Sequence, residues 1–105
     1  MATVELKGNQ WKDFFRQEYA VIDVYGDQCA ACVMLEPVFD GVADELAGIG
    51  FGRINLSTEP EIAEVYGIES IPTLLYYRKG ELVQRGSGSM SREEFLSELS
   101  GLLYR

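Results

Sequence analysis

The run AVIDVYG, residues 20–26, limits the architecture more than any other part of the chain. It is almost continuously apolar, and Gly26 ends it. Such a run suits a strand covered on both faces, as in a parallel or mixed sheet. The periodicity switches after Cys29. Cys32, Leu35, Phe39, Val42 and Leu46 recur at spacings of three and four, which marks one face of a helix. Pro37 falls inside that pattern, where it removes an N–H and crowds the preceding turn, so a kink is expected. Gly48 and Gly50 are expected to end the helix, and FGRINL reads as the next strand.

The remaining segments fit around this unit. Thr3 to Leu6 alternate weakly and read as a short strand, and Asn9 can cap a helix carrying Trp11, Phe14 and Phe15. Thr58 and Glu61 form a T-x-x-E capping box for a short helix through Tyr66, which Gly67 stops. TLLYYR and ELVQRG are two strands joined at Lys79-Gly80, a hairpin signal. Ser91 and Glu94 make a second capping box, followed by a helix with Phe95, Leu99 and Leu102 on one face and Leu103 beside them. The order is β-α-β-α-β-α-β-β-α. Strands separated by helices require parallel crossovers, and the hairpin adds antiparallel strands. The expected fold class is therefore α/β: a mixed five-stranded sheet with helices on both faces. No repeat or linker divides the 105 residues, so a single domain over 1–105 is expected. Apolar residues make up 47% of the chain, enough for one core without covalent stapling. Tyr76, Tyr77 and the Phe14-Phe15 pair read as parts of that core, and the acids of Glu59–Glu64 as a solvated helix side.

Charge narrows the function classes. Nine Lys+Arg stand against seventeen Asp+Glu, a net of −8, with no basic run. Nucleic acid and anionic membrane surfaces are poor partners for such a chain. No apolar run approaches the roughly 20 residues of a membrane span. The start, MATVELKGNQW, has no basic segment leading into an apolar one, so no secretory signal is visible. The chain as given reads as cytoplasmic and reducing, where a lone CxxC suggests redox or metal chemistry.

Both cysteines lie in DQCAACVML, where strand gives way to helix. A disulfide staple, a metal half-site, a redox pair and two core thiols all fit two cysteines at this spacing. A Cys29–Cys32 bond closes a tiny loop and gains little from chain entropy, which weakens the staple. Two thiolates with no histidine in the chain fall short of a closed zinc site, which takes four ligands. A redox pair uses the position best. Unpaired amides and aligned peptide dipoles at a helix start stabilise a thiolate. Cys29, at the cap, is the candidate nucleophile, and Cys32, one turn inward on the buried face, the candidate resolving thiol. Asp23 lies in the preceding apolar run. If buried there, its pKa is raised by desolvation and it suits proton relay to or from Cys32; the other reading is a strand-end Asp facing water. Arg53 pairs with it or points into solvent, and spacing alone favours solvent.

VIDVYGDQCAACVMLEP, RINL, YGIESIPTLLYYRKGELV and GSGSMS, in that order, resemble the thioredoxin family over nearly the whole chain. The resemblance implies a thioredoxin fold, with Cys29 as attacking thiol, Cys32 as resolving thiol and Asp23 as the buried carboxylate. It implies that Pro72 follows a cis bond and packs against the CxxC, whereas an X-Pro bond read alone is expected to be trans. Ile71 would offer its backbone to a substrate strand, and Gly88 would border the same groove, with Gln28, Ala30 and Ala31 on its cysteine side. Pro37 matches the helix-kinking proline. The departures are Gln28 for a tryptophan, Ala31 for a proline between the cysteines, Tyr25 for another tryptophan, Val33 for a basic residue and Arg53 for a lysine. The implied activity is thiol–disulfide oxidoreduction, reducing protein disulfides through the Cys29/Cys32 dithiol. No bound cofactor is implied beyond that redox-active disulfide. The implied partners are disulfide-containing clients and a thioredoxin-reductase-like donor, and the chain is expected to act as a monomer. A less reducing oxidase or isomerase, or a docking module on the same fold, is the alternative.

Overall fold

The computed structural model describes residues 2–104. Its elements are β1 (Thr3–Leu6), α1 (Gln10–Phe14), β2 (Tyr19–Tyr25), α2 (Ala30–Glu45), β3 (Gly50–Asn55), α3 (Glu61–Tyr66), β4 (Thr73–Arg78), β5 (Glu81–Ser87) and α4 (Arg92–Tyr104), the order expected. The sheet runs β1-β3-β2-β4-β5. β3 is parallel to both β1 and β2, and β4 is antiparallel to β2 and β5. The apolar run AVIDVY lies in β2, the strand between β3 and β4.

Its alternating side chains feed two cores. Val21 joins Phe51, Leu74 and Tyr76 under Leu35, Phe39 and Val42 of α2 and Phe95, Leu99 and Leu102 of α4. Phe39 stacks on Phe95 with ring centroids 5.5 Å apart, and both meet the edge of Phe51. Ala20, Ile22 and Val24 join Ile54, Leu75 and Tyr77 on the other face, with Trp11 of α1 and Ile62 of α3. Phe14 and Phe15 pack against that second core. Burial on both faces is what the unbroken apolar run required.

Local signals held at three places. The Ser91–Glu94 box is reciprocal: the Glu94 amide donates to Ser91 Oγ at 3.1 Å and the Ser91 amide to Glu94 Oε1 at 3.0 Å. The Ser91 amide first, and the Ser91 hydroxyl after it, hold the exposed Glu94 carboxyl below its usual range. Gly67 stops α3 in the left-handed conformation, φ 62°. Lys79 and Gly80 turn the hairpin with φ 52° and 83°, the paired positive values of a type I′ turn.

Other expectations need correcting. Asn9 stands at the N-cap of α1 but makes no side-chain capping bond; Gln10 Oε1 instead accepts the Lys7 amide at 2.8 Å. The Thr58–Glu61 box does not form. Pro60 takes the cap position, α3 starts at Glu61, and Thr58 Oγ1 donates back to the Asn55 carbonyl at 3.3 Å. α2 ends at Glu45, ahead of both glycines, because Leu46 is already extended. Gly48 makes the turn at φ 85°, and Gly50 opens β3 opposite Ala20. Pro37, where a kink is expected, lies within α2 on its exposed side, and the helix continues through it to Glu45.

Candidate active site

Strand β2 ends at Tyr25, and residues 26–28 turn the chain into α2. Gln28 takes φ 54° in this turn. Three bonds tie the turn to the end of β3 and the residues that follow it. The Leu56 amide donates to the Tyr25 carbonyl at 2.7 Å, the Asp27 amide to Ser57 Oγ at 3.0 Å, and Asn55 Nδ2 to Asp27 Oδ1 at 3.1 Å. Cys29 is thereby held as the N-cap of α2, in extended conformation, with its Sγ accepting the Cys32 amide at 3.2 Å. Cys29 and Cys32 form a disulfide with Cα atoms 5.3 Å apart. The first sulfur is half-buried, and Cys32 is 1% exposed. Gln28, Ala30, Val33 and Met34 surround the pair as exposed side chains, and Ala31 is half-buried.

A second segment meets the first. The Ile71-Pro72 bond is cis, and Cys29 Sγ lies 3.9 Å from the Ile71 carbonyl oxygen. Pro72 is buried. Gly88, at φ 79°, donates its amide to the Pro72 carbonyl at 2.9 Å, and Thr73 Oγ1 donates to the Ser70 carbonyl at 2.6 Å. The cis-proline segment thus meets the disulfide at Cys29 Sγ, and Gly88 is tied to that segment through Pro72. Gly26 also belongs here: a methyl group on its Cα would sit 2.7 Å from Ile71 Cδ1, so glycine lets the cis-proline segment close against the cysteine turn.

Asp23 lies in β2 with no solvent exposure. Its Oδ2 accepts Arg53 Nε at 3.3 Å, while Oδ1 has no hydrogen-bond partner. Burial pushes the carboxyl up to about 6, against the pull of Arg53 and helped by the nearby Glu36 and Asp40 charges. The water-facing reading is therefore wrong for Asp23, and the solvent-facing reading is wrong for Arg53. The two residues are thirty apart in sequence but face each other in the β2–β3 register.

Sequence reasoning missed what surrounds Arg53. Its Nη1 is 2.7 Å from Glu36 Oε2, and its guanidinium carbon lies 3.9 Å from the centre of the Tyr25 ring. Tyr25 OH donates to Glu5 Oε2 at 2.7 Å. Burial first, and then that bond, push the phenol up to about 12, so Tyr25 stays neutral. Tyr25, Cys29, Cys32, Glu36 and Arg53 line one hollow beside the disulfide. The usable signal was Glu36 one helical turn after Cys32, but only pairing FGRINL in parallel with AVIDVY brings Arg53 to it.

The family model described as Thioredoxin matches residues 2–100. The chain belongs to the thioredoxin family. It is 31% identical over 94 residues to the thioredoxin of Chlamydia pneumoniae, covering 90% of this chain and 91% of that one. The thioredoxin of Chlamydia caviae is 29% identical over 91 residues, 87% of this chain and 89% of its own. Among solved structures, a single-site mutant of a thioredoxin from Halobacterium salinarum superposes with a TM-score of 0.88 at 24% identity, over 95% of this chain and 89% of that chain. The Malassezia sympodialis thioredoxin superposes at 0.84 with 23% identity, over 96% and 90%. The sheet and its four helices are the thioredoxin fold. Membership of that family together with the Cys29–Cys32 pair makes the protein a thiol–disulfide oxidoreductase. Thioredoxins work without a bound cofactor, and among the described residues no group of three or more His, Cys, Asp or Glu is placed to hold a metal. No helix among the described residues is long and apolar enough to cross a membrane.

Proposed function

We propose that the protein is a cytoplasmic, monomeric, single-domain reductant of protein disulfides, recharged by a thioredoxin-reductase-like flavoprotein. The observation that carries this is the asymmetry of the two sulfurs: Cys29 at a helix cap and open to a partner, Cys32 buried behind it. In the reduced protein the Cys32 amide that now meets Cys29 Sγ would hold a Cys29 thiolate. That thiolate attacks a client disulfide. The client S–S bond breaks, one client sulfur leaves and takes up a proton, and a mixed disulfide forms. Cys32 then loses its proton to Asp23 and attacks Cys29 Sγ. The bond from Cys29 to the client breaks, the Cys29–Cys32 disulfide closes, and two electrons have passed to the client. The donor returns two electrons, and one proton restored to Cys32 leaves Cys29 again as the thiolate.

Client binding falls to the groove between the cysteine turn and the cis-proline segment. Gln28, Ala30 and Ala31 form one wall, and Pro72 and Gly88 the other. The Ile71 backbone, its carbonyl 3.9 Å from Cys29 Sγ, lies where an extended client segment would run past the nucleophile. Gln28 in place of a large aromatic leaves this groove more open beside Cys29.

Insulin reduction with dithiothreitol as donor tests the reading. The protein is expected to accelerate precipitation over dithiothreitol alone, and Cys29→Ser to abolish the acceleration. An inert parent protein, or a fully active Cys29→Ser variant, overturns it.

A further inference from the structure

Arg53 carries one positive charge and divides it between two carboxylates. Nη1 lies 2.7 Å from Glu36, and Nε lies 3.3 Å from Asp23. The shorter contact goes to the residue that needs it less: the Glu36 side chain is 49% exposed, and that of Asp23 is 0% exposed. The guanidinium is a rigid planar fork, so it cannot turn both edges fully toward Asp23. The Tyr25 ring packs against the fork, its centre 3.9 Å from the guanidinium carbon, and Glu5 holds Tyr25 in turn. Glu36 lies one helical turn after Cys32, and Asp40 one turn further, so the three follow one stripe of α2.

We propose that Glu36 is a positioning residue of the redox centre: it competes with Asp23 for the Arg53 guanidinium and so keeps the buried carboxylate basic enough to accept the Cys32 proton. This rests on the reading of Asp23 as the proton acceptor for Cys32. A carboxylate given the whole of an adjacent arginine becomes a weak base. One that shares the cation keeps its affinity for a proton. In the resolving step the proton moves from Cys32 Sγ to the Asp23 carboxylate, the Cys32 sulfur bonds to Cys29 Sγ, and the client sulfur leaves with its electron pair. Asp23 then gives the proton up to that client thiolate, directly or through solvent, and is ready for the next cycle.

The groups that act on Asp23 come from every element around it. Arg53 belongs to β3, Glu36 and Asp40 to α2, Tyr25 to β2 and Tyr76 to β4. Tyr25 and Tyr76 are both pushed up by burial first and then by hydrogen bonds to Glu5 and Glu98, so they remain neutral. Asp40 adds to the effect of Glu36. Arg53 is the one cation in the set, which is why the way it is shared matters.

The test is the Asp23 carboxyl signal, followed by carbon-detected NMR against pH in the parent, Glu36→Gln, Arg53→Met and the double variant. Glutamine keeps an oxygen for Nη1 but removes the competing charge. The Asp23 midpoint should fall by about half a pH unit or more in Glu36→Gln, a roughly threefold loss of proton affinity or greater. In the Arg53→Met background the same change should have less than half that effect. The pH profile of mixed-disulfide resolution should move with the midpoint. An unmoved or rising midpoint in Glu36→Gln overturns the proposal, as does an equal shift in both backgrounds. A midpoint that falls while the resolution profile stays fixed removes Asp23 from the reaction and leaves the competition for Arg53 standing.

Discussion

The two faces of strand β2 divide the work of the molecule. Ala20, Ile22 and Val24 point to the face covered by α1 and α3, and all three are apolar and fully buried. Val21, Asp23 and Tyr25 point to the other face, which changes from apolar at Val21 to polar at Asp23 and Tyr25 toward the cysteine end. Val21 sits in the core under α2 and α4, Asp23 is a buried acid beside Arg53, and Tyr25 borders the hollow next to the disulfide. One strand, seven residues long, therefore presents a purely cohesive side and a side graded from packing to chemistry. The graded side forgoes some stability, because a buried carboxyl resists ionisation there. That same resistance is what equips it to handle a proton.

The sharpest way to break this contrast is to damage the cohesive face alone. Ile22→Ala removes a fully buried side chain from the centre of the second core and should cost about 2–5 kcal/mol of stability. Denaturant unfolding measures it. The folded fraction should still reduce insulin at close to the parent rate, since no group beside the disulfide has changed. A loss of turnover in protein shown to be folded would mean that the two faces are coupled and the division is false.

Damage to the graded face should act in the opposite sense. Asp23 ionises near 3.8 in an ordinary setting and at about 6 in the fold. Below the lower value it is neutral in both folded and unfolded chains and imposes no penalty. As pH rises, the unfolded chain releases the proton first, so the folded state loses stability between about pH 4 and 6 and stays lower above that window. The full loss is roughly 3 kcal/mol. Asp23→Asn should thus be more stable than the parent at pH 7 by up to about that amount, and the difference should shrink toward pH 4. Its mixed disulfide should resolve more slowly at neutral pH. A variant less stable than the parent at pH 7, or a difference that ignores pH, would show that Asp23 is not the strained group of this face.

How much of this division could be read from residues alone follows from the range of each signal. The two-sided burial of β2 is written in its own composition, and Cys29 at a helix start in the change of period after it. The Ser91–Glu94 box and the Lys79-Gly80 turn are equally local, each completed within four residues. The Thr58–Glu61 box fits the same pattern yet fails, because Pro60 takes the cap position and Thr58 turns back to Asn55. Arg53 was illegible for a different reason. Its partners lie on β2 and α2, and only the strand register says which side of β3 it occupies. The cis geometry before Pro72 came from family resemblance, since neither Ile71 nor Pro72 carries a local sign of it. Chemistry that depends on strand pairing is hidden from periodicity, and the graded face of β2 is built from it.

The smallest expected effect uses the one tryptophan as a reporter on the cohesive face. Trp11 is 3% exposed in the second core, with the Tyr66 ring edge-on at a centroid distance of 5.8 Å and Lys12 Nζ 5.6 Å from its ring. Its neighbours come from α1 and α3 and the strand residues of that face, whereas the disulfide is carried by α2 on the other. Opening the Cys29–Cys32 bond changes charge and packing at the end of the graded face only. Trp11 emission should therefore keep nearly the same intensity and maximum in oxidised and reduced protein, although alkylation confirms that both thiols have been freed. Ile22→Ala should disturb that emission more than reduction does, because Ile22 shares the core with Trp11. A large emission change on reduction would require the sheet to transmit the redox state from one face to the other, and the separation seen in β2 would then be one of composition but not of response.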